Sequence, residues 1–239
     1  DLVVRRLHPG GDLGGLEAGK RVPHLRGVLA RRGPLDLDRA GAFDRARLLV
    51  ATTTGQGWLD AGAMSSFEYV AGGDSAIVAL QYSFVPSGFS YLVDATRAQA
   101  AGRALFDAVY GKWASLPVDR RPQLYVFGES LGSFGGEAAF SGEADLRTRT
   151  AGALFVGPPN FNALHTEFSD DRDPGSREVE PVYRDGRTVR FSTDVAAGAP
   201  PVGAPWAGSR TLILQHPSDP ITWWSPKLLF SRPDWLAQP

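Results

Sequence analysis

The sequence predicts an α/β fold, a mainly parallel sheet with helices on both faces, and three observations predict it. Short apolar, β-branched runs recur along the chain, stretches of helical periodicity separate them, and glycine-rich turns close two of the runs. Runs that are apolar throughout, rather than alternating, fit strands buried on both faces. At 239 residues, 43% of them apolar and 21% charged, the chain has a length that one α/β domain commonly occupies.

Residues 1–40 read as an irregular, glycine- and arginine-rich segment in which only Leu2-Val3-Val4 has an apolar pattern. Residues 41–239 read as the folded domain. Its first strand is Arg47–Thr52, which feeds the turn Thr53-Thr54-Gly55-Gln56-Gly57. A helix follows around Ala61–Val70, then a strand over Ala76–Tyr82 and a helix over Ala95–Trp113. In that helix Ala101, Leu105, Ala108, Val109 and Lys112 keep helical spacing, and Pro117 and Pro122 bracket the loop after it. Gln123–Phe127 is the next strand, leading through Gly128-Glu129-Ser130-Leu131-Gly132 into an alanine-rich helix that runs to about Phe140. Ala153–Val156 and Thr211–Gln215 are further strands.

Between those last two strands lies an insertion of about 50 residues, too long for an ordinary connection. It holds the acidic stretch Ser169–Gly175 and a hairpin over Val182–Val189 with Asp185-Gly186 at its turn.

Composition excludes several functions. The net charge of −1 argues against a nucleic-acid partner. With no cysteine there are no disulfides, zinc–thiolate sites or thiol nucleophiles, so covalent catalysis must use an oxygen or a lysine. No apolar run approaches the roughly 18–20 residues of a membrane span, and the N-terminus lacks the order of a signal peptide, so the segment is expected to be soluble. Neither a cofactor nor a metal is expected. Asp170, Asp171 and Asp173 could offer oxygens to a hard cation, but a solvated acidic loop is the commoner use of such a string.

Gly128-Glu129-Ser130-Leu131-Gly132 matches G-x-S-x-G in its confirming context, a strand before and a small-residue helix after. The tight turn puts the serine in a strained backbone conformation and leaves its Oγ exposed at a helix N-terminus. Ser130 is therefore the expected nucleophile. Acyl transfer from it needs oxyanion donors, normally the N–H after the nucleophile and one from the loop after an earlier strand. Leu131 supplies the first, and Gly55 or Gln56 is the candidate for the second. The acid follows the nucleophile beyond a later strand, a place that Asp219 fits within Gln215-His216-Pro217-Ser218-Asp219-Pro220. The base has no such place. No histidine follows Asp219, so His216, three residues before it, and His165, in the insertion, are the candidate bases. His8 and His24 carry no motif. A packed or solvated histidine is the ordinary reading of each. Trp223 and Trp224 could line an acyl pocket or belong to the core.

With these residues, the chain resembles a bacterial α/β-hydrolase catalytic-domain family, α/β-hydrolase family 9, over about Gly41 to Leu236. The resemblance rests on Gly41-Ala42-Phe43-Asp44-Arg45, Thr54-Gly55-Gln56-Gly57-Trp58, the elbow around Ser130, Val156-Gly157-Pro158-Pro159-Asn160-Phe161-Asn162, the Asp219 string, Trp223-Trp224-Ser225-Pro226 and Arg232-Pro233-Asp234-Trp235-Leu236. It implies an α/β-hydrolase-like fold with an insertion before the last strand, and a serine hydrolase with Ser130 as nucleophile and Asp219 as acid. Proteins of this kind form the C-terminal half of multi-pass membrane proteins and continue past the Asp-Trp-Leu string to a histidine-bearing segment. The resemblance thus implies membrane-embedded full-length relatives, and a C-terminally incomplete domain here with little activity of its own. The expected function is an esterase- or lipase-like hydrolase, or acyl transferase, acting on a small-molecule or lipid ester. A non-catalytic binding or structural module of a membrane protein is the alternative, since fold alone does not decide function.

Overall fold

The computed structural model describes residues 2–5, 37–54, 57–82, 95–193 and 205–236. Among the described residues seven strands form one sheet: β1 (Leu2–Arg5), β2 (Arg47–Thr52), β3 (Ser75–Leu80), β4 (Gln123–Glu129), β5 (Gly152–Val156), β6 (Val189–Ser192) and β7 (Arg210–Leu214), in the order β1-β3-β2-β4-β5-β7-β6. Of these, only β1, at one edge, is antiparallel to its neighbour. The other pairings are all parallel.

Successive strand residues face opposite sides of a sheet, and here both sides are covered. Leu48, Val50, Val78, Leu124 and Val126 pack with Ala101, Leu105, Phe106 and Val109 of α2 (Ala95–Ser115). Leu49, Ala51, Ile77, Ala79 and Phe127 face the other way, toward Met64 of α1 (Ala61–Val70). This two-sided burial is the reason the strands read as unbroken apolar runs. α1 begins where Asp60 accepts a hydrogen bond from the Ala63 N–H at 2.6 Å, an ordinary N-cap. Further helices among the described residues are α3 (Leu131–Glu137), α4 (Glu143–Arg149), α5 (Ala163–Asp170) and α6 (Pro220–Trp223).

Four local expectations shift. The segment read as irregular at the N-terminus contains β1, paired to β3 from Leu2 opposite Leu80 to Arg5 opposite Ile77. The helix after the elbow stops at Glu137, and a separate α4 follows. The insertion carries both α5 and β6. The expected hairpin over Val182–Val189 is not a two-armed ladder: a 3-10 turn at Arg184–Gly186 is followed by one antiparallel bridge, Val182 to Arg190, and β6 pairs in parallel with β7. Burial decides this, because pairing at the sheet edge buries Val189 and Phe191 to 1% exposure each, which an isolated two-stranded ribbon could not do.

Candidate active site

Ser130 sits between the end of β4 and the start of α3 with φ 51° and ψ −121°, a region that non-glycine residues enter at a cost of about 1–3 kcal/mol. Its neighbours make this possible. A Cβ on Gly128 would lie 2.5 Å from the Gly132 carbonyl oxygen, and a Cβ on Gly132 would lie 2.3 Å from the Thr52 carbonyl oxygen. Both positions therefore exclude any side chain. The Ser130 N–H donates to the Val156 carbonyl at 2.7 Å, and its own carbonyl accepts from the Ser133 and Phe134 N–H groups. Among the described residues no hydrogen bond forms to the Ser130 Oγ or to the Leu131 N–H, which leaves one hydroxyl and one donor together at the helix start.

The end of β2 lies directly against this elbow, Thr52 being in register with Gly128. Gly55 and Gln56 fall outside the described residues. On either side of them, Gly57 donates its N–H to the Thr54 carbonyl at 2.8 Å and Thr54 donates to the Trp58 carbonyl at 3.2 Å. That turn comes directly after the strand beside the nucleophile.

Asp219 arrives from the other side. It caps α6, Oδ1 accepting from the Ile221 N–H at 2.9 Å, while Oδ2 lies 3.3 Å from where a Cβ on Gly157 would be. Gly157 is next to Val156, the acceptor of the Ser130 N–H, and donates its own N–H to the Leu214 carbonyl. Ser130, Gly157 and Asp219 thus stand at the carboxyl ends of β4, β5 and β7, where open α/β sheets hold their ligands.

The two candidate bases are engaged elsewhere. His216 is exposed, and its Nδ1 accepts from the Ser218 N–H at 3.2 Å and lies 2.8 Å from the Ser218 hydroxyl. His165 is buried on α5, with Nε2 2.7 Å from the Gln215 Oε1. The Gln215 amide nitrogen donates to the Val179 carbonyl, so its oxygen faces the ring and Nε2 of His165 carries the proton. Burial holds the His165 pKa below its ordinary value, against the raising effects of Gln215 and Asp170. Among the described residues neither imidazole hydrogen-bonds to Ser130 or Asp219. His8 and His24 lie outside the described residues. Of the two tryptophans beyond the acid, Trp223 donates through its indole N–H to the His216 carbonyl and Trp224 is 55% exposed. The Asp173 carboxylate accepts from the Arg184 and Asp185 N–H groups, and among the described residues no group of three or more acidic, histidine or cysteine side chains could hold a metal ion.

Sequence reasoning missed two acids. Glu129, immediately before the nucleophile, has its pKa raised by burial and then by the charge of Asp60, and its Oε2 is buried with no hydrogen-bond partner among the described residues. Glu137, at the far end of α3, is fully buried and accepts from the Asn162 amide at 2.8 Å and from the Leu164 and His165 N–H groups at 3.1 and 3.2 Å. It occupies the start of α5, where free N–H groups favour a carboxylate. Asn162 also donates to the Ser133 hydroxyl, which donates to the Ser130 carbonyl at 2.6 Å. This buried chain ties the elbow to α5. Its only mark in the sequence is a glutamate on an otherwise small, apolar helix.

A profile of an α/β-hydrolase family matches residues 26–239. The chain belongs to that family, and membership supports a function of hydrolase type. No curated protein matches significantly. Among solved structures, a thermophilic esterase from the Planctomycetes species Thermogutta terrifontis, in its native form, is 21% identical with a TM-score of 0.32, covering 49% of this chain and 44% of its own. The propionate-bound form of that esterase gives the same identity and TM-score, with 45% of its own chain covered. The chain therefore spans less than half the length of these structures. No helix among the described residues is long and apolar enough to cross a membrane.

Proposed function

We propose that the protein is a serine hydrolase of carboxylic esters, esterase- or lipase-like, acting through an acyl-enzyme on Ser130. The observation that carries the reading is the strained φ of 51° at Ser130, since strain of this kind persists only where the surroundings impose it and concentrates at functional sites. In the proposed reaction Oγ attacks the ester carbonyl and loses its proton to a base, and the carbonyl oxygen becomes an oxyanion whose donors are the Leu131 N–H and one from Gly55 or Gln56. Collapse breaks the bond to the alcohol, which leaves with that proton. Water, or another acceptor, then attacks the acyl-serine by the same steps. Asp219 would hold the base in one tautomer and stabilise its cation.

The test is labelling with a fluorophosphonate followed by intact-mass measurement. One adduct is expected, and it should vanish in Ser130→Ala. An adduct that persists in that variant removes Ser130 from the role of nucleophile. A second reading, a non-catalytic α/β-hydrolase-fold module in a larger membrane protein, is favoured by one observation: neither described histidine bonds to Ser130 or Asp219. No adduct and no ester hydrolysis in the full-length protein would establish that reading instead.

A further inference from the structure

A cavity of about 510 Å³ lies between α5, α6 and residues 225–235, and Ser130, Leu131 and Asp219 are not among its lining residues. Its size falls in the range of about 300–1,000 Å³ usual for small-molecule sites. The α5 wall is a helical stripe. His165 and Ser169 are one turn apart and both line the cavity.

His165 is 5% exposed, and its partner Gln215 fixes the proton on Nε2. Nδ1 is then a bare acceptor, with no hydrogen bond among the described residues, on a side chain that lines the cavity. Ser169 Oγ and, on α6, Thr222 Oγ1 are also without partners among the described residues. The other hydroxyls of the lining are satisfied locally: Thr166 donates to the Asn160 carbonyl, Ser231 donates to the Lys227 carbonyl, and Ser225 accepts from the Lys227 N–H. A buried polar group left unpaired is costly, and two in the lining of one cavity, Ser169 Oγ and Thr222 Oγ1, beside the bare Nδ1 of His165, point to a partner that supplies hydrogen bonds.

Trp223 and Trp235, with ring centroids 6.3 Å apart at 61°, form an aromatic side to the same cavity. Asp170 and Glu178 are set against Lys227 in the lining, so the charges are mixed and select neither an anion nor a cation. We infer that this cavity binds a neutral, polyhydroxylated small molecule, a sugar or polyol, whose hydroxyls meet His165 Nδ1, Ser169 and Thr222 and whose apolar faces lie on the two indoles. The site is separate from Ser130 and stands whether or not Ser130 is a nucleophile.

The experiment is saturation-transfer NMR together with a tryptophan-fluorescence titration of the full chain, using glycerol, methyl α-glucoside and maltose as probes, and choline and acetate as charged comparisons. At least one of the neutral probes should give a saturable response and the charged ones none. Ser169→Ala and Thr222→Val should each weaken the response by about tenfold, the loss of one hydrogen bond, while Tm stays level or rises because neither hydroxyl has a protein partner to lose. His165→Phe should abolish it. Ser130→Ala should bind as the parent does, which separates this inference from the proposed reaction. The inference is overturned by choline or acetate binding in place of the neutral probes, by no saturable response to any neutral probe, or by a response unchanged in Ser169→Ala and His165→Phe. A response lost in Ser130→Ala would overturn the separation of the two sites.

Discussion

The Ser130 elbow and the start of α5 are held by different means. Around Ser130 nearly every close contact is backbone: the Thr52 and Gly132 carbonyls fill the space where side chains would be, and the Val156 carbonyl takes the serine N–H. Around the start of α5 the contacts are buried polar side chains, Glu137, Asn162, His165 and Gln215. A backbone cage tolerates no added atom. A side-chain network tolerates substitution but depends on protonation. The two halves should therefore fail in different ways.

The largest effect is expected from Gly132→Ala. Its Cβ would stand 2.3 Å from the Thr52 carbonyl oxygen, and backbone cannot turn aside as a side-chain tip can. Urea unfolding should show a loss of about 3 kcal/mol or more, at the upper end of overpacking costs, and fluorophosphonate labelling should disappear with it. A loss under about 1 kcal/mol would mean the cage is loose, and the contrast between the two regions would be gone.

The second prediction concerns Glu137 and pH. Burial raises its pKa from 4.5 to about 7, against the lowering effect of its hydrogen bonds from Asn162, His165 and Leu164. A folded pKa above the unfolded one means that the folded state binds more protons between those values, so stability falls as pH rises. The loss should be complete just above pH 7 and amount to about 3 kcal/mol. Glu137→Gln should flatten this slope between pH 4.5 and 7, and the Ser130 elbow should keep its shape. A slope that survives the substitution would assign the titration to another group.

Next in size are the histidines. His165→Ala leaves the Gln215 oxygen unpaired in the interior, a cost of about 1–3 kcal/mol, whereas His216→Ala removes an exposed ring and should change stability by less than about 0.5 kcal/mol. Because neither ring bonds to Ser130 or Asp219, neither variant should slow fluorophosphonate labelling by as much as tenfold. A loss of labelling in His216→Ala alone would make that residue the base and bring it round from Ser218.

The same contrast governs how much of the molecule is legible in its sequence. The elbow is legible because its constraint is local: the glycines must sit two residues either side of the serine, and that spacing is visible in Gly128, Ser130 and Gly132. Two-sided burial of the sheet is legible from the unbroken apolar runs at Arg47–Thr52 and Gln123–Phe127. The network under α5 is not, because Glu137 meets Leu164 and His165 across 27 and 28 residues and no short pattern records such a pairing. β6 escapes sequence reading for a related reason. Asp185-Gly186 does make a tight turn, but the strand after that turn is claimed by a distant partner, β7, and local turn chemistry cannot report that.

A smaller effect separates the serine from the acid most cleanly. Ser130 is held at φ 51°, whereas Asp219 has an ordinary extended backbone at φ −73° and ψ 110°. Ser130→Ala keeps a Cβ and therefore keeps the strain, while Ser130→Gly releases about 1–3 kcal/mol of it and gives back roughly 0.5–1 kcal/mol through the freer unfolded chain. The glycine variant should thus be more stable than the alanine variant by about 1 kcal/mol, with both unlabelled by fluorophosphonate. At Asp219 there is no strain to release, and Asp219→Ala should lose about 1 kcal/mol through the α6 cap alone. If Ser130→Gly proved no more stable than Ser130→Ala, the backbone at Ser130 would be unstrained, and the observation that carries its proposed role as nucleophile would fall with it.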